Sequence, residues 1–164
     1  MTIVRLRPEA EVRAAAQRAF EEHRSTILEA VPDSAVEHVG ATAVPGAVTK
    51  GDLDLLVRVS AERFEGASDC LRRLCAVHQP HNWTPTLASY VDPESSDPPV
   101  GVQLVVAGSS DDAMFRRFRD ALTADAGLAA EYDALKRRHD GQEYERYTEA
   151  KGEFIEQTLA RLTP

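Results

Sequence analysis

Cysteine is scarce in this chain of 164 residues, which contains Cys70 and Cys75 and no other thiol. Both lie in one predicted helix at a spacing that does not bring them side by side, so we expect no disulfide between them. His78 and His81 follow in a loop, but no further Cys or His stands at ligand spacing to complete a four-ligand zinc site. This cysteine usage suits a protein of the reducing cytoplasm.

Long apolar runs are absent, and no segment approaches the roughly 20 consecutive apolar residues that a membrane-spanning helix needs. The first residues also lack the pattern of a secretory signal peptide. Basic residues are too few to balance the acidic ones, because 19 Lys and Arg face 27 Asp and Glu, for a net charge of −8. Nucleic-acid backbones require concentrated positive charge, so we expect a soluble, cytoplasmic protein that binds neither nucleic acid nor membranes.

Three common catalytic fingerprints are missing as well. The chain has no G-x-x-x-x-G-K-[ST] phosphate loop, no G-x-S-x-G nucleophile elbow and no G-x-G-x-x-G dinucleotide turn. Kinase, hydrolase and dehydrogenase functions therefore have no support. A small or metal-complexed anionic substrate remains compatible with the charge, because an acidic protein can still contain a local basic pocket.

The predicted elements follow the order helix, strand, strand, helix, two strands and then helices. A helix begins after Pro8, strands cover 35–39 and 53–59, a helix with Ser60 as its N-cap covers 61–76, strands cover 86–91 and 100–107, a polar hairpin connection covers 92–99, and helices with breaks near Asp125 and Gly141 fill the remainder. The length suits one domain, residues 1–164. This order predicts an α+β (α/β) fold with a small mixed β-sheet, packed helices and a helical C-terminal region.

The most informative segment runs from Val36 to Val59 and reads VEHVGATAVPGAVTKGDLDLLVRV. Its second strand opens with Asp52 and Asp54, whose side chains share one face because successive strand residues alternate. Two carboxylates on one face repel each other unless a positive charge lies between them. A divalent cation that carries a phosphorylated substrate meets this need most simply.

Upstream of the Asp pair, Gly40 and Thr42 follow a short strand. The backbone N–H groups and the hydroxyl of such a turn can hold phosphate oxygens. Lys50 lies two residues before Asp52 and is either a neutralising contact for the carboxylates or a phosphate, or a solvated turn lysine.

A glycine turn after one strand, followed by Asp-x-Asp on the next, resembles the signature of the nucleotidyltransferase superfamily. The fuller strings HVGATAVPGAVTK, DLDLLV and FRDAL, with two late Tyr–Lys pairs, more narrowly resemble the GrpB family over about Val36 to Phe154. The resemblance implies a nucleotidyltransferase-like fold and binding of a nucleoside triphosphate with Mg²⁺ or Mn²⁺. It further implies transfer of a nucleoside monophosphate to an acceptor that the sequence does not identify.

In this interpretation Asp52 and Asp54 are the metal ligands and catalytic residues, while Gly40, Thr42 and Lys50 bind nucleotide phosphates. The superfamily usually places a third carboxylate on a later strand, where this chain has Gln103. A glutamine offers a carbonyl oxygen but neither negative charge nor a general base. The alternative function is therefore a catalytically inactive binding or regulatory module that keeps the fold.

The helical tail contains Arg119 and two Tyr–Lys pairs at i, i+4 spacing, Tyr132 with Lys136 and Tyr147 with Lys151. One interpretation makes Arg119, Lys136 and Lys151 a basic wall that binds an anionic substrate opposite the Asp pair, with Gln103 beside it. The other has these cations bonding acidic residues between helices while the tyrosines pack. The sequence leaves both open.

Overall fold

A five-stranded mixed sheet organises the chain in the computed structural model, which describes residues 1–162. The strands are β1 Arg7–Pro8, β2 Ala35–Val39, β3 Val48–Thr49, β4 Leu53–Val59, β5 Ala76–Val77, β6 Leu87–Ser96 and β7 Pro99–Val106, and the α-helices are α1 Glu9–Ala30, α2 Phe64–Leu74, α3 Ser110–Ala124, α4 Ala126–Arg138 and α5 Tyr144–Leu162. The sheet order is β2-β4-β7-β6-β5, and β1 pairs separately with β3. Only the β4–β7 pair within this described sheet is parallel.

The two faces of the sheet bury different sets of residues. Leu53, Leu55 and Val57 of β4 point to one face, where they pack in a core with residues of α1 and α2 such as Ile27 and Leu71. On the opposite face, Leu56 packs with Val39, Val105 and Phe115, and the last of these belongs to α3. Because side chains alternate along a strand, Asp54 shares this second face with Leu56. Among residues 1–162, no helix has the length and apolar character needed to cross a membrane.

Several predicted boundaries are confirmed. Strands β2 and β4 have the predicted limits, α1 begins directly after Pro8, and the breaks between α3, α4 and α5 fall at Asp125 and around Gly141. The α+β class with a mixed sheet and a helical C-terminal region is confirmed as well.

The predicted helix over 61–76 is too long at both ends. A 3₁₀ turn at Ala61–Arg63 precedes α2, and Ser60 makes no capping hydrogen bond. Ala76 instead belongs to β5, because it pairs with Val91 at the edge of the sheet. Tertiary pairing of this kind overrides local helix propensity.

The hairpin connection predicted over 92–99 is mostly strand. Strand β6 continues through Asp92 to Ser96, with a β-bulge between these two residues, and Ser96 pairs with Pro99. The bulge accommodates the turn-forming residues of this segment, so the strand continues through them. As a result, Asp92 lies on the sheet rather than in the hairpin connection.

A buried ion pair fastens α3 to the sheet. Arg58 of β4 donates two hydrogen bonds to Asp112, at 2.7 Å and 2.9 Å, and the backbone N–H of Gly108 donates a third at 2.8 Å. Asp112 is 2% exposed. Burial works to raise the pKa of Asp112, but the bonds from Arg58 and Gly108 outweigh it and hold the pKa below its usual value.

We expect Asp112→Ala to lower the free energy of unfolding by about 3 kcal/mol at neutral pH, because it removes two hydrogen bonds from the partly buried Arg58 and leaves it the longer contact with Glu37 at 3.4 Å. A carboxyl whose folded pKa is depressed stabilises the protein above its unfolded pKa of about 4, and this contribution is lost as the pH falls through the folded value. The difference from the native chain should therefore shrink in acid. Urea unfolding across this pH range measures it.

Asp69→Ala is the matched control, because Asp69 is an exposed helical aspartate. We expect its free energy of unfolding to stay within about 0.5 kcal/mol of the native value at each pH. An Asp112→Ala effect of the same small size would contradict the structural role of the pair.

Candidate functional site

A cleft of about 270 Å³ opens between the Asp54 face of the sheet and helices α3 and α5. This volume lies near the lower end of the roughly 300–1,000 Å³ that small-molecule sites occupy. Most of the site residues predicted from the sequence line it, namely Gly40, Lys50, Asp52, Asp54, Gln103, Arg119 and Lys151.

Asp54 reaches the floor of the cleft because two neighbouring positions are glycine. A Cβ atom at Gly40 would lie 2.2 Å from Asp54 Oδ2, and one at Gly101 would lie 3.3 Å from Asp54 Oδ1. Gly40 also has φ of +77°, a conformation that side chains other than hydrogen disfavour. Gly101 is the register partner of Asp54 on β7, so no third acid stands beside it there.

The carboxylate of Asp54 has no hydrogen bond or ion pair within residues 1–162. Burial raises its pKa to about 6. The charge of Lys151 opposes this rise, the charge of Asp52 adds to it, and the charge of Lys50 opposes it again. A desolvated carboxylate without a donor is costly in a folded protein, and such groups concentrate at functional sites.

Asp52 has a direct partner. Lys50 Nζ donates to Asp52 Oδ2 at 2.8 Å and lies 4.7 Å from the centre of the Tyr144 ring. Burial works to lower the pKa of Lys50, but the bond to Asp52 and the nearby negative charges outweigh it and raise the pKa. The structure therefore brings Lys50 to the carboxylates rather than leaving it as a solvated turn lysine.

Lys151 of α5 provides a second cation at the cleft. Its ammonium lies 4.8 Å from the centre of the Tyr147 ring, and Tyr147 is itself buried. Burial lowers the pKa of Lys151 to about 8, while the charge of Asp54 acts in the opposite direction. The ammonium makes no ion pair within 4.0 Å in the described part of the chain, so it keeps its donors for other groups.

Gln103 lies on the same face of the sheet as Asp54, one strand away, and lines the cleft. Its neighbours Val102 and Leu104 are fully buried on the opposite face, as predicted. The carbonyl oxygen of Gln103 accepts a hydrogen bond of 2.6 Å from the Ser89 hydroxyl.

Arg119 also lines the cleft, but Nε and Nη1 of its guanidinium are already bonded. It donates to Glu37 Oε2 at 2.9 Å, to the carbonyl oxygen of His38 at 3.1 Å and to Asp120 Oδ1 at 2.8 Å. Arg119 therefore lies at the cleft, as a substrate contact would, and also bonds acidic residues, as a structural cation would.

Thr42 and Lys136 lie outside the cleft. The Thr42 hydroxyl donates to the carbonyl oxygen of Asp52 at 3.0 Å and lies 2.8 Å from His38 Nε2. Lys136 is 1% exposed and bonds the carbonyl oxygen of Val48 at 2.5 Å and Asp133 at 3.0 Å. Both residues position the loop that leads to Asp52, so the phosphate role predicted for Thr42 and the substrate role predicted for Lys136 find no contact here.

The sequence interpretation missed an apolar wall that forms one side of the cleft. It consists of Met114, Phe115, Phe118, Leu122 and Ile155. Met114, Phe118 and Leu122 stand at i, i+4 spacing on α3, which places them on one helix face. This spacing could have indicated the apolar wall from the sequence. An apolar helix face of this kind, however, more often packs into a core.

The donor set fits magnesium. Mg²⁺ is commonly held by one or two protein carboxylates together with substrate phosphates, and Asp52 and Asp54 supply two hard oxygen donors to one cleft. Within residues 1–162 there is no group of three or more His, Cys, Asp or Glu side chains that could hold a metal ion alone. The fit therefore depends on a substrate that brings further oxygen ligands.

Comparison with known proteins gives the family. The model of the GrpB protein family matches residues 10–161. A UPF0157 protein of Vibrio cholerae is 33% identical over 152 residues, covering 92% of this chain and 79% of the relative. A UPF0157 protein of Deinococcus radiodurans is 30% identical over 148 residues, covering 87% and 74%.

Solved structures agree with this assignment. The conserved protein GrpB from Enterococcus faecalis superposes with a TM-score of 0.65 at 16% identity, covering 94% of this chain and 99% of that one. The Cid1 poly(U) polymerase, solved with MgGTP bound, superposes with a TM-score of 0.54 at 12% identity, covering 77% of this chain and 42% of the polymerase. The likeness to Cid1 concerns the fold alone. The chain thus belongs to the GrpB family and has a nucleotidyltransferase-like fold.

Proposed function

We propose that this protein binds a nucleoside triphosphate together with Mg²⁺ or Mn²⁺ in the cleft between the sheet and helices α3 and α5. The observation that carries the proposal is the Asp54 carboxylate, which faces the cleft without a hydrogen-bond donor and has a raised pKa. Asp52 lines the same cleft. A hard divalent cation is the group that best satisfies two carboxylates in one cleft.

The positive side chains around the pair suit the phosphates. Lys50, Lys151 and Arg119 all line the cleft, and the turn at Gly40 borders it on the side of β2. Of the three cations, Lys151 has its donors least engaged, since Arg119 already bonds Glu37 and Lys50 bonds Asp52. Lys151 is therefore the principal phosphate contact in this proposal.

The apolar wall of α3 suits the nucleoside. Phe115 and Phe118 line the cleft, and a nucleobase is a flat group that stacks favourably on aromatic side chains, at about 1–3 kcal/mol per base. Phosphates at the polar end and the base at the apolar end give the nucleotide one orientation in the cleft.

Bound Mg²⁺ supplies charge neutralisation for the phosphate oxygens and a fixed geometry for an attacking group. The chain's own residues provide the metal ligands, the phosphate contacts and the apolar wall. Gln103 adds no charge and accepts from Ser89, so this chain offers no proton acceptor at the position where the superfamily usually has a third carboxylate. The second candidate, a binding or regulatory module without transfer activity, is favoured by this residue.

We expect Mg²⁺ with a nucleoside triphosphate at about a hundred times its dissociation constant to stabilise the fold by about 2.7 kcal/mol, a rise in melting temperature of roughly 5–10 °C. The rise should disappear in excess chelator, which removes the cation from solution. It should also disappear in the double variant Asp52→Asn/Asp54→Asn, which lacks the two carboxylates that hold the cation. Thermal-shift measurements with each of the four triphosphates test this.

The charge-matched control is Asp69→Asn/Glu131→Gln, which removes two exposed carboxylates outside the cleft. It should keep the full rise. An equal rise in chelator, or in the variant of the Asp pair, would show that nucleotide binding does not run through these carboxylates.

We expect Gly40→Ala to abolish the nucleotide-dependent rise, because its Cβ would fall 2.2 Å from Asp54 Oδ2 at a positive φ. The free energy of unfolding should fall by at least about 1 kcal/mol. Gly66→Ala is the control: it lies in α2 with nothing within 4 Å of the new Cβ, and should stabilise the helix by about 0.5–1 kcal/mol. Thermal shifts and urea unfolding of both variants measure the effect, and a full nucleotide response in Gly40→Ala would contradict the site geometry.

We expect Gln103→Asp to tighten Mg²⁺ binding by about tenfold, since it adds a negative charge near the pair. Transfer of a nucleoside monophosphate by the native chain should be slow, because general-base help is worth about 10²–10⁴-fold. Calorimetric titration of Mg²⁺ and release of labelled pyrophosphate test the two statements. Robust transfer by the native chain together with full activity in Gln103→Ala would mean that another group accepts the proton.

A further inference from the structure

Lysine is confined to one place in this structure. The chain contains three lysines, Lys50, Lys136 and Lys151, and none of them is exposed. Lys50 and Lys136 lie close enough to Lys151 for their charges to act on its amine. The exposed cationic side chains of residues 1–162 are arginines instead, as at Arg63. An arginine stays protonated, whereas a buried lysine loses its proton readily and can attack a carbonyl carbon. Any chemistry that needs a side-chain amine must therefore take place at this cluster.

The amine of Lys151 differs from the other two in its bonding. Lys50 donates to Asp52 Oδ2 at 2.8 Å, and Lys136 donates to a backbone carbonyl oxygen at 2.5 Å. Lys151 makes no hydrogen bond or ion pair in the part of the chain that the structure describes, and its Nζ lies 4.8 Å from the centre of the Tyr147 ring. No oxygen partner therefore has to be displaced before the Lys151 nitrogen reacts.

The surroundings of Lys151 also favour loss of its proton. Burial lowers its pKa to about 8. The charges of Asp54 and Asp52 on β4 act to raise this pKa, and the charges of Lys50 and Lys136 act to lower it further. Near neutral pH more of its amine is unprotonated than that of an ordinary lysine, whose pKa is about 10.4.

The cleft around this amine suits an anionic carbonyl compound. Lys50 and Arg119 line it with positive charge. Within residues 1–162, Nη2 of Arg119 makes no hydrogen bond, so it has donors left for a phosphate. The apolar wall offers a surface to the remainder of such a ligand. A lysine that is desolvated in an apolar pocket or set beside another cation is a setting in which amines form Schiff bases.

We infer that Lys151 forms an imine with a phosphorylated aldehyde bound in the cleft. The nitrogen of the neutral amine forms a bond to the carbonyl carbon, the carbon–oxygen bond then breaks, and the oxygen leaves as water with the two hydrogens of the amine. Hydrolysis reverses the step, so no oxidant or reductant is required. This chemistry needs the lysine and the cleft but no nucleotide, although the aldehyde and a nucleotide would compete for the same space.

Pyridoxal 5′-phosphate and 5′-deoxypyridoxal are the probes, because they share the ring and the aldehyde and differ in the phosphate. Each is incubated with the full chain and then treated with borohydride, which reduces an imine to a stable amine. Peptide mapping should find at least about ten times more label on Lys151 than on Lys50 or Lys136, since more of its amine is unprotonated and unbonded. Half-labelling of Lys151 should need at least about tenfold less of the phosphorylated aldehyde, because the cleft cations hold the phosphate.

The chain unfolded in urea is the matched control, because it has the same three lysines without the cleft. Its lysines should be labelled nearly equally by each probe. Lys151→Arg keeps the positive charge and removes the nucleophile, so the two aldehydes should then label the remaining amines alike. The mapping of the native chain does not depend on the folding of this variant.

Equal labelling of the three lysines in the folded chain, or label mainly at Lys50 or Lys136, would overturn the inference. An equal requirement for the two aldehydes, the absence of any trapped product, or a phosphate preference that persists in folded Lys151→Arg would overturn it as well.

The nucleotide experiment separates this result from the proposed function. Trapping at Lys151 in a protein without any nucleotide-dependent thermal shift would support the imine and count against the nucleotide site. A nucleotide shift without trapping would overturn the imine and leave the nucleotide site standing.

Discussion

The parallel pairing of β4 with β7 is the contact on which the rest of the structure depends. Leu53, Leu55 and Val57 of β4 are fully buried, and burial of each such side chain contributes about 1.5–3 kcal/mol. The register sets Asp54 beside Gly101 and Leu56 beside Gln103. A shift of one residue would move Asp54 to the core face, so the same pairing that forms the core also brings Asp54 to the cleft.

The cleft keeps a close balance between negative and positive charge. Asp52 and Asp54 bring two carboxylates to a partly desolvated place, and Lys50 and Lys151 bring two ammonium groups. This balance partly offsets each burial cost with an opposite charge. It also means that any cation at the pair competes with the two lysines, and that phosphates which draw the lysines away favour the cation.

Several residues position the site without lining it. Asp133 accepts from the backbone N–H of Val48, and Lys136 donates to the Val48 carbonyl oxygen, so α4 satisfies both backbone groups of this strand residue. The Thr42 hydroxyl donates to the carbonyl oxygen of Asp52. A loop whose backbone groups are bonded on both sides has few alternative conformations. The Lys50 to Asp52 segment is held in this way, between a helix and the turn at Gly40.

The sequence by itself determined the limits of β2 and β4 and the placement of Asp52 and Asp54 at the start of β4, because strand periodicity is a local property. Only the tertiary structure decided that Lys151 faces the cleft while Lys136, at the same spacing from a tyrosine, bonds the Val48 carbonyl oxygen. The apolar wall of the cleft was decided in the same way. The physical reason is that these groups meet across long stretches of chain, where helix spacing alone does not say which partner a side chain will find.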